Sequence, residues 1–366
     1  MLTPILNELQ LKLKIVATGP MLIRDGRMSS DEQRKKLVPN ETVRQNLPDS
    51  IFVCRNTYAD LKDKLNKNDI NKLKFYLPGT SLRGLLRQQA ESIMRMLSSD
   101  QEDPLCCNPF DETNCAERIE KALLRLHDRQ NRRNRLSAVE IFNASCAICR
   151  LFGSTAMASR IEVDDGVPQG MFAYDERVHV AIDRFTGGSV PGALFKDFVL
   201  SGAFETEIRI RNFEIWQLGL LAYVLRDLEN GDVPVGSGKN KGYGQATIVL
   251  ENITLKYRGK HQPNQLLGMA DFPEISARRY DFKKHELTQY PIESQVGNGL
   301  LSQEYVIQAT PTSVIESRFW QVCAGVFNGI VRNAAGADSQ RFQKLSELCI
   351  SDGTIVAQQT ENEEQP

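Results

Sequence analysis

Cys146-Ala-Ile-Cys149, with Cys107 and Cys115 upstream, makes a set of four thiols in two pairs. A tetrahedral zinc ion takes four such ligands, and a CxxC loop supplies two of them at a suitable angle. The spacing therefore predicts a structural Zn2+ site, with Cys106 competing with Cys107 for one position and His127 available as a substitute ligand. A redox CxxC is the rival reading, weakened because no thioredoxin-type strand precedes it and no such helix follows. Cys54, Cys323 and Cys349 read as buried free thiols, the ordinary state of cytosolic cysteines.

A second chemistry is written in GSGKNKGYG at 236–244. A nucleotide P-loop needs GxxxxGK followed by Ser or Thr, after a strand and before a helix. This loop continues Lys239-Asn240 and lies between a helical segment and a strand-like one, so nucleotide hydrolysis is excluded on both counts. Its glycines still allow close backbone approach, and its amides with Lys239 and Lys241 suit a phosphodiester. A tight glycine turn with solvated lysines is the plainer alternative. PGTSLRG at 78–84 adds hydroxyls and Arg83 at a predicted helix N-terminus, where anions bind readily and where a simple N-cap would look the same.

These segments need a scaffold. Residues 8–17, ELQLKLKIVA, alternate with period two and predict a half-buried strand. A polar stretch from 24 to 74 reads as a large surface loop or a set of small elements. Leu82, Leu85, Leu86, Ile93 and Met96 then form a helical stripe. Residues 101–158, with a basic helix over about 116–135, read as a zinc-binding insertion. Strands are predicted at 159–166, 176–184 and 204–212, followed by the helix EIWQLGLLAYVLRDLENG and the strand GQATIVLENITLKYR. Strand, helix, strands, helix, strand is the order of an α+β, ferredoxin-like or RRM-like fold. The core comprises 1–100 and 159–258, with a long loop over 18–77. Residues 259–366 form a C-terminal extension containing one helix around SVIESRFWQVCAGVFNGIVRNAA and a tail expected to be disordered from about 356.

Composition sets bounds on these readings. The 366 residues are 41% hydrophobic and 25% charged, with a formal net charge of -1, as in ordinary globular proteins. Whole-chain charge gives no argument for nucleic acid, although the run HDRQNRRNR at 127–135 is locally basic. There is no signal-peptide pattern and no run of eighteen apolar residues, so a cytoplasmic protein with no membrane partner is expected. His179 and Trp216 read as core or surface residues without a role.

PGTSLRGLLR, CAICRLFGS, AIDRFTGG with its downstream ALFKDFVLSGAF, and GSGKNKGYG occur in the order and approximate spacing of the RAMP superfamily. The resemblance covers residues 8–258 and is to the RNA-binding backbone subunits of type III CRISPR effector complexes, type III-D above all. It implies an RRM-like palm that holds the CRISPR RNA (crRNA), and a thumb β-hairpin over 184–203 that wedges into the guide–target duplex. It also implies an endoribonuclease that cuts complementary target RNA with Mg2+ or Mn2+. The partners implied are crRNA, target RNA and the other subunits of the complex, including neighbouring backbone subunits.

Carried over position by position, Ser81, Arg83, Gly236, Gly238, Lys239 and Lys241 would contact the crRNA. Arg184, Phe185, Thr186 and Gly187 would begin the thumb, with Val190, Leu194 and Phe195 as its apolar wedge. The catalytic Asp of related subunits opens an Asp-Ser segment shortly before the PGSSLKG-type motif, a place that Asp49 of PDSIFVCRN matches here. The spacing departs from the pattern, since 29 residues separate Asp49 from Gly79. Asp25 and Asp31 are rivals in the same loop, and a structural or capping subunit that cuts nothing is the alternative. An RNA-processing nuclease would need a histidine acid–base site, and none of the four histidines falls in the loops named above.

Overall fold

A computed structural model describes residues 5–97, 105–121, 138–258, 265–272, 290–291, 298–299, 302–308 and 312–335. The first strand, β1 (Asn7–Ala17), follows its alternation: Leu9, Leu11, Leu13 and Ile15 are buried while Lys12 and Lys14 point outward. It pairs antiparallel on one side with β4 (Ser189–Arg211) and on the other with β5 (Ala246–Arg258). The register sets Leu9 opposite Ile210 and Ile15 opposite Phe204, so the apolar sets of both strands share one face.

That face is covered by α4 (Gly79–Leu97), through Leu82, Leu85 and Leu86, and by α7 (Ile215–Glu229). The second helix starts with the Gln217 side chain accepting the Glu214 amide and stops at Asn230-Gly231, with Gly231 at φ 80°. Its far side is covered in turn by α8 (Arg318–Ala335), where Tyr223 meets Phe327 at 5.8 Å between ring centroids. Burial on both sides explains why α7 is apolar all round.

The sheet runs β2 (Ile161–Val163), β4, β1, β5, β7 (Ser302–Gln308), β6 (Asn298–Gly299). The C-terminal region therefore extends the core sheet and packs on a core helix as well as following them in the chain. β3 (Val167–Ile182) pairs with the distal part of β4 to form a long hairpin. The hairpin is longer than the expected 184–203: its strands begin at Val167 and Ser189, and residues 183–188 are only its turn.

The polar stretch is a set of small elements. Helices α1 (Asp31–Leu37), α2 (Glu41–Asn46) and α3 (Tyr58–Asn66) are each started by a side-chain cap from Ser30, Asn40 and Thr57. Leu37, Leu47, Ile51, Phe52, Leu61 and Leu65 are buried beneath them, which is why so polar a segment folds. In the insertion, residues 115–121 are helical, followed after a gap by α5 (Ala138–Asn143) and α6 (Ala147–Phe152). His127, the rest of the expected basic helix, Cys349 and the tail from 356 lie outside the described residues.

Candidate nucleic-acid interface and metal site

The cysteine site is built by two short segments closing on each other. Cys146 caps α6, its sulfur accepting the Cys149 amide, and the Cys146 amide in turn donates to Cys115 Sγ. Cys107, Cys115, Cys146 and Cys149 are all buried, with sulfurs within 4.8 Å of one another. Two of the separations, Cys107 to Cys146 and Cys107 to Cys149, are each 3.7 Å. A tetrahedron of thiolates about 2.3 Å from zinc has sulfurs about 3.8 Å apart, so the spacing fits the ion, while a disulfide needs about 2.05 Å. The cluster could hold a metal such as zinc. Cys106 is left out: its sulfur donates to the Cys107 carbonyl, and burial pushes its thiol up to about 12. The choice between Cys106 and Cys107 thus falls to Cys107.

The knuckle also touches α4. Arg87 donates to the Gly153 carbonyl at 3.0 Å and pairs with Glu91 at 2.8 Å. One turn earlier Arg83 donates to the Phe152 carbonyl and has no acidic partner among the described residues. Thr80 and Ser81 are exposed beside it. The first amide of the helix is already engaged, because Gly79 donates to Asp165 at 2.8 Å. Gly79 itself answers to packing: a Cβ there would lie 2.2 Å from the Val163 carbonyl oxygen. Leu82 and Val235 line one apolar cavity, which puts the start of α4 and the approach to the glycine loop at the same end of the core.

The glycine loop is stitched to the chain after β1: Ser237 donates to Leu22 and Gly244 to Pro20, both at 2.8 Å. Gly236 lies against the same segment, where a Cβ would meet the Leu22 carbonyl oxygen at 2.4 Å. Gly238 and Gly242, at φ 78° and 80°, bracket the turn Lys239–Lys241. The amides of Lys241, Gly242 and Tyr243 are spent on carbonyls within the loop, leaving those at the start of the turn beside Lys239, which has no acidic partner among the described residues. Lys241 is not free. Its ammonium lies 3.3 Å from Asp197, a buried carboxylate at the base of the hairpin.

Asp197 also meets His179 Nε2 at 3.3 Å, and His179 Nε2 lies 2.5 Å from the Tyr243 hydroxyl. The glycine loop and the hairpin are thereby tied together by four side chains. His179 carries no role in the sequence patterns, and neither Asp197 nor Tyr243 stands out in them. Nothing local marks them, since the contact requires the register that sets His179 opposite Phe195.

The acidic candidates separate clearly. Asp25 is buried and gripped by Arg27 through two ion-paired hydrogen bonds, while also accepting the Arg27 and Cys54 amides. Burial would raise its carboxyl, but the Arg27 contacts outweigh this and hold it below the usual range. Asp31 is exposed in the first turn of α1. Asp49 lies on the hairpin base: Oδ2 accepts the Lys196 amide and Oδ1 takes Arg34, each at 2.7 Å. Ser50 bridges to Asp197 in the next strand position. Asp49 therefore adjoins the Asp197 network directly, while Asp31 reaches it only through Arg34, 3.9 Å away, and Asp25 is held by Arg27 instead.

At the tip, the Asp183 carboxylate accepts the Phe185 and Thr186 amides, forming the turn and leaving Phe185 wholly exposed. Arg184 and Thr186 are exposed with it, and Val190 is 39% exposed. The side chains of Leu194 and Phe195 lie outside the described residues. Among the described residues the solvent face of β1 and its two neighbours carries ion pairs in place of an aromatic platform for bases. There Lys12 pairs with Glu205, Lys14 with Glu251, and Arg211 with Glu8 and Glu162. Stacking on sheet aromatics, the usual RRM device, has no counterpart among these residues.

The fold and sites define a mixed α/β protein with an antiparallel sheet, a projecting hairpin and a four-cysteine cluster. The RAMP superfamily model matches residues 14–247, and the chain belongs to that superfamily, which is generally associated with RNA binding and CRISPR–Cas complexes. A search among curated proteins finds no significant match. Among the described residues no helix is long and apolar enough to cross a membrane.

Proposed function

We propose that this chain is a crRNA-binding backbone subunit of a type III CRISPR interference complex, and that it cuts complementary target RNA at the base of its hairpin. The observation that carries the reading is the convergence of Asp49, the glycine loop and the hairpin on Lys196–Phe198 in a chain of this superfamily. The strand order β2-β4-β1-β5, with α4 and α7 as crossovers, supports a ferredoxin-like palm. Arg83, Ser81, Lys239 and the exposed tip residues then face guide and target. The partners are crRNA, target RNA and neighbouring subunits.

Asp49 is the residue assigned to cleavage. Both its oxygens are already hydrogen-bonded, and the only group of three or more potential metal ligands among the described residues is the cysteine cluster. Among the described residues no cluster of carboxylates is preformed for Mg2+ or Mn2+. The Arg34–Asp49 pair also favours a second reading, a backbone subunit that binds without cutting.

The test is cleavage of a guide-complementary RNA by the assembled complex with Asp49→Ala beside wild type, in Mg2+ or Mn2+ and with EDTA. One cut is expected to vanish while guide and target stay bound. An unchanged cutting pattern selects the second reading unless Asp25→Ala or Asp31→Ala removes the cut.

A further inference from the structure

We propose that metal loading of the four-cysteine cluster sets the strength with which this chain holds RNA, and that Arg87 is the positioning residue linking the two. The inference rests on the RNA-binding part of the function proposed above. Four thiolates around one divalent ion carry a net charge of about -2, and buried charge needs partners. Two guanidiniums lie on the cluster: Arg87 Nη2 is 4.0 Å from Cys149 Sγ, and Arg118 Nη2 is 3.5 Å from Cys115 Sγ. The amides of Cys146 and Cys149 donate to its sulfurs as well. Cations and amides of this kind favour thiolates over thiols, so the surroundings suit the loaded cluster.

Arg87 engages all three of its nitrogens. Nε meets Glu91 at 2.8 Å, Nη1 donates to the Gly153 carbonyl at 3.0 Å, and Nη2 faces the cluster. It therefore clamps α4 to the end of α6. Gly153 is fixed from the cluster side too: its amide donates to the Cys149 carbonyl at 2.8 Å, and its φ is 76°. A Cβ there would lie 2.6 Å from the Ser159 amide nitrogen.

The carbonyl one residue earlier, on Phe152, accepts Arg83, which stands one turn before Arg87 on the same face of α4. That carbonyl is the one protein partner of the Arg83 guanidinium among the described residues. The direction of Arg83 thus depends on where the cluster holds Phe152 and Gly153. Without the metal, Arg87 loses the negative charge it faces and the turn after Cys149 loosens. Arg83 must then be ordered at the moment an RNA phosphate binds, and that ordering lowers affinity.

The experiment measures anisotropy of a labelled guide RNA on the full chain, loaded with Zn2+, stripped by a chelator and reloaded, with metal content followed by elemental analysis. Stripping is expected to weaken binding about 3- to 10-fold and reloading to restore it. Arg83→Ala should bind weakly and respond less than about twofold to stripping. Zn2+-loaded Arg87→Gln should bind as weakly as the stripped wild type, and adding it to Arg83→Ala should cost nothing further. Circular dichroism follows the fold, and if stripping unfolds the chain, Zn2+-loaded Arg87→Gln decides alone. Unchanged affinity in stripped, folded wild type, an equal loss on stripping Arg83→Ala, wild-type affinity in loaded Arg87→Gln, or a wild type that takes up no Zn2+ would each overturn the proposal. If the loaded wild type does not bind the guide RNA at all, the RNA-binding reading falls with it.

Discussion

Asp197 and Lys241 meet at 3.3 Å beneath the hairpin, the carboxylate buried and the ammonium arriving from the glycine loop. The carboxylate also meets His179 at 3.3 Å, whereas the ammonium has water as an alternative. Asp197→Ala is therefore expected to cost about 1–3 kcal/mol by urea unfolding, and Lys241→Ala less. The reverse order would show that Asp197 does not organise the junction.

Metal loading separates neighbouring cysteines. Cys107→Ser and Cys146→Ser are expected to fall below about one Zn2+ per purified chain and to melt earlier, while Cys106→Ser retains the metal. Elemental analysis with a melting curve checks this. Equal losses at Cys106 and Cys107 would contradict the arrangement of the sulfurs.

How much of this could be read from the chain itself depends on distance along it. The alternation of Leu9 to Ile15 and the Cys146–Cys149 knuckle are local patterns, so the strand and the cysteine cluster are legible. Gly79 was read for its place in an anion motif, and its close approach to Val163 shows a packing need that a motif cannot reveal. Arg34 meets Asp49 only because two small helices, α1 and α2, fold the intervening polar stretch. His179, Asp197 and Tyr243 come from two strands and a loop, and no spacing along the chain announces their meeting.

Asp25 gives a pH signature. Its folded carboxyl lies below the ordinary 3.8, so its stabilising contribution is complete above that value and is lost as pH falls through the folded value. In Asp25→Asn the acid limb of stability below about pH 4 should be shallower than in wild type. Denaturant midpoints at neutral and acid pH measure it, and parallel curves would contradict the assignment.

Lys239 and Lys241 should differ in salt dependence. Lys239→Ala is expected to weaken guide-RNA binding and reduce the slope of log affinity against log salt by about 0.7. Lys241→Ala, already paired with Asp197, should change the slope less. Fluorescence anisotropy across a salt series decides, and equal slopes for both variants would mean that RNA draws Lys241 away from Asp197.

The hairpin has a further consequence for handling the protein. β3 spans Val167–Ile182, its second edge is unpaired among the described residues, and Val178, Val180 and Ile182 are exposed along it. An open edge of that length is a template for another chain, blunted here by Pro168 and by the charges of Asp175, Glu176 and Arg177. Solutions of the chain alone should therefore scatter more light as they are concentrated, and covering this edge should be what keeps it well behaved.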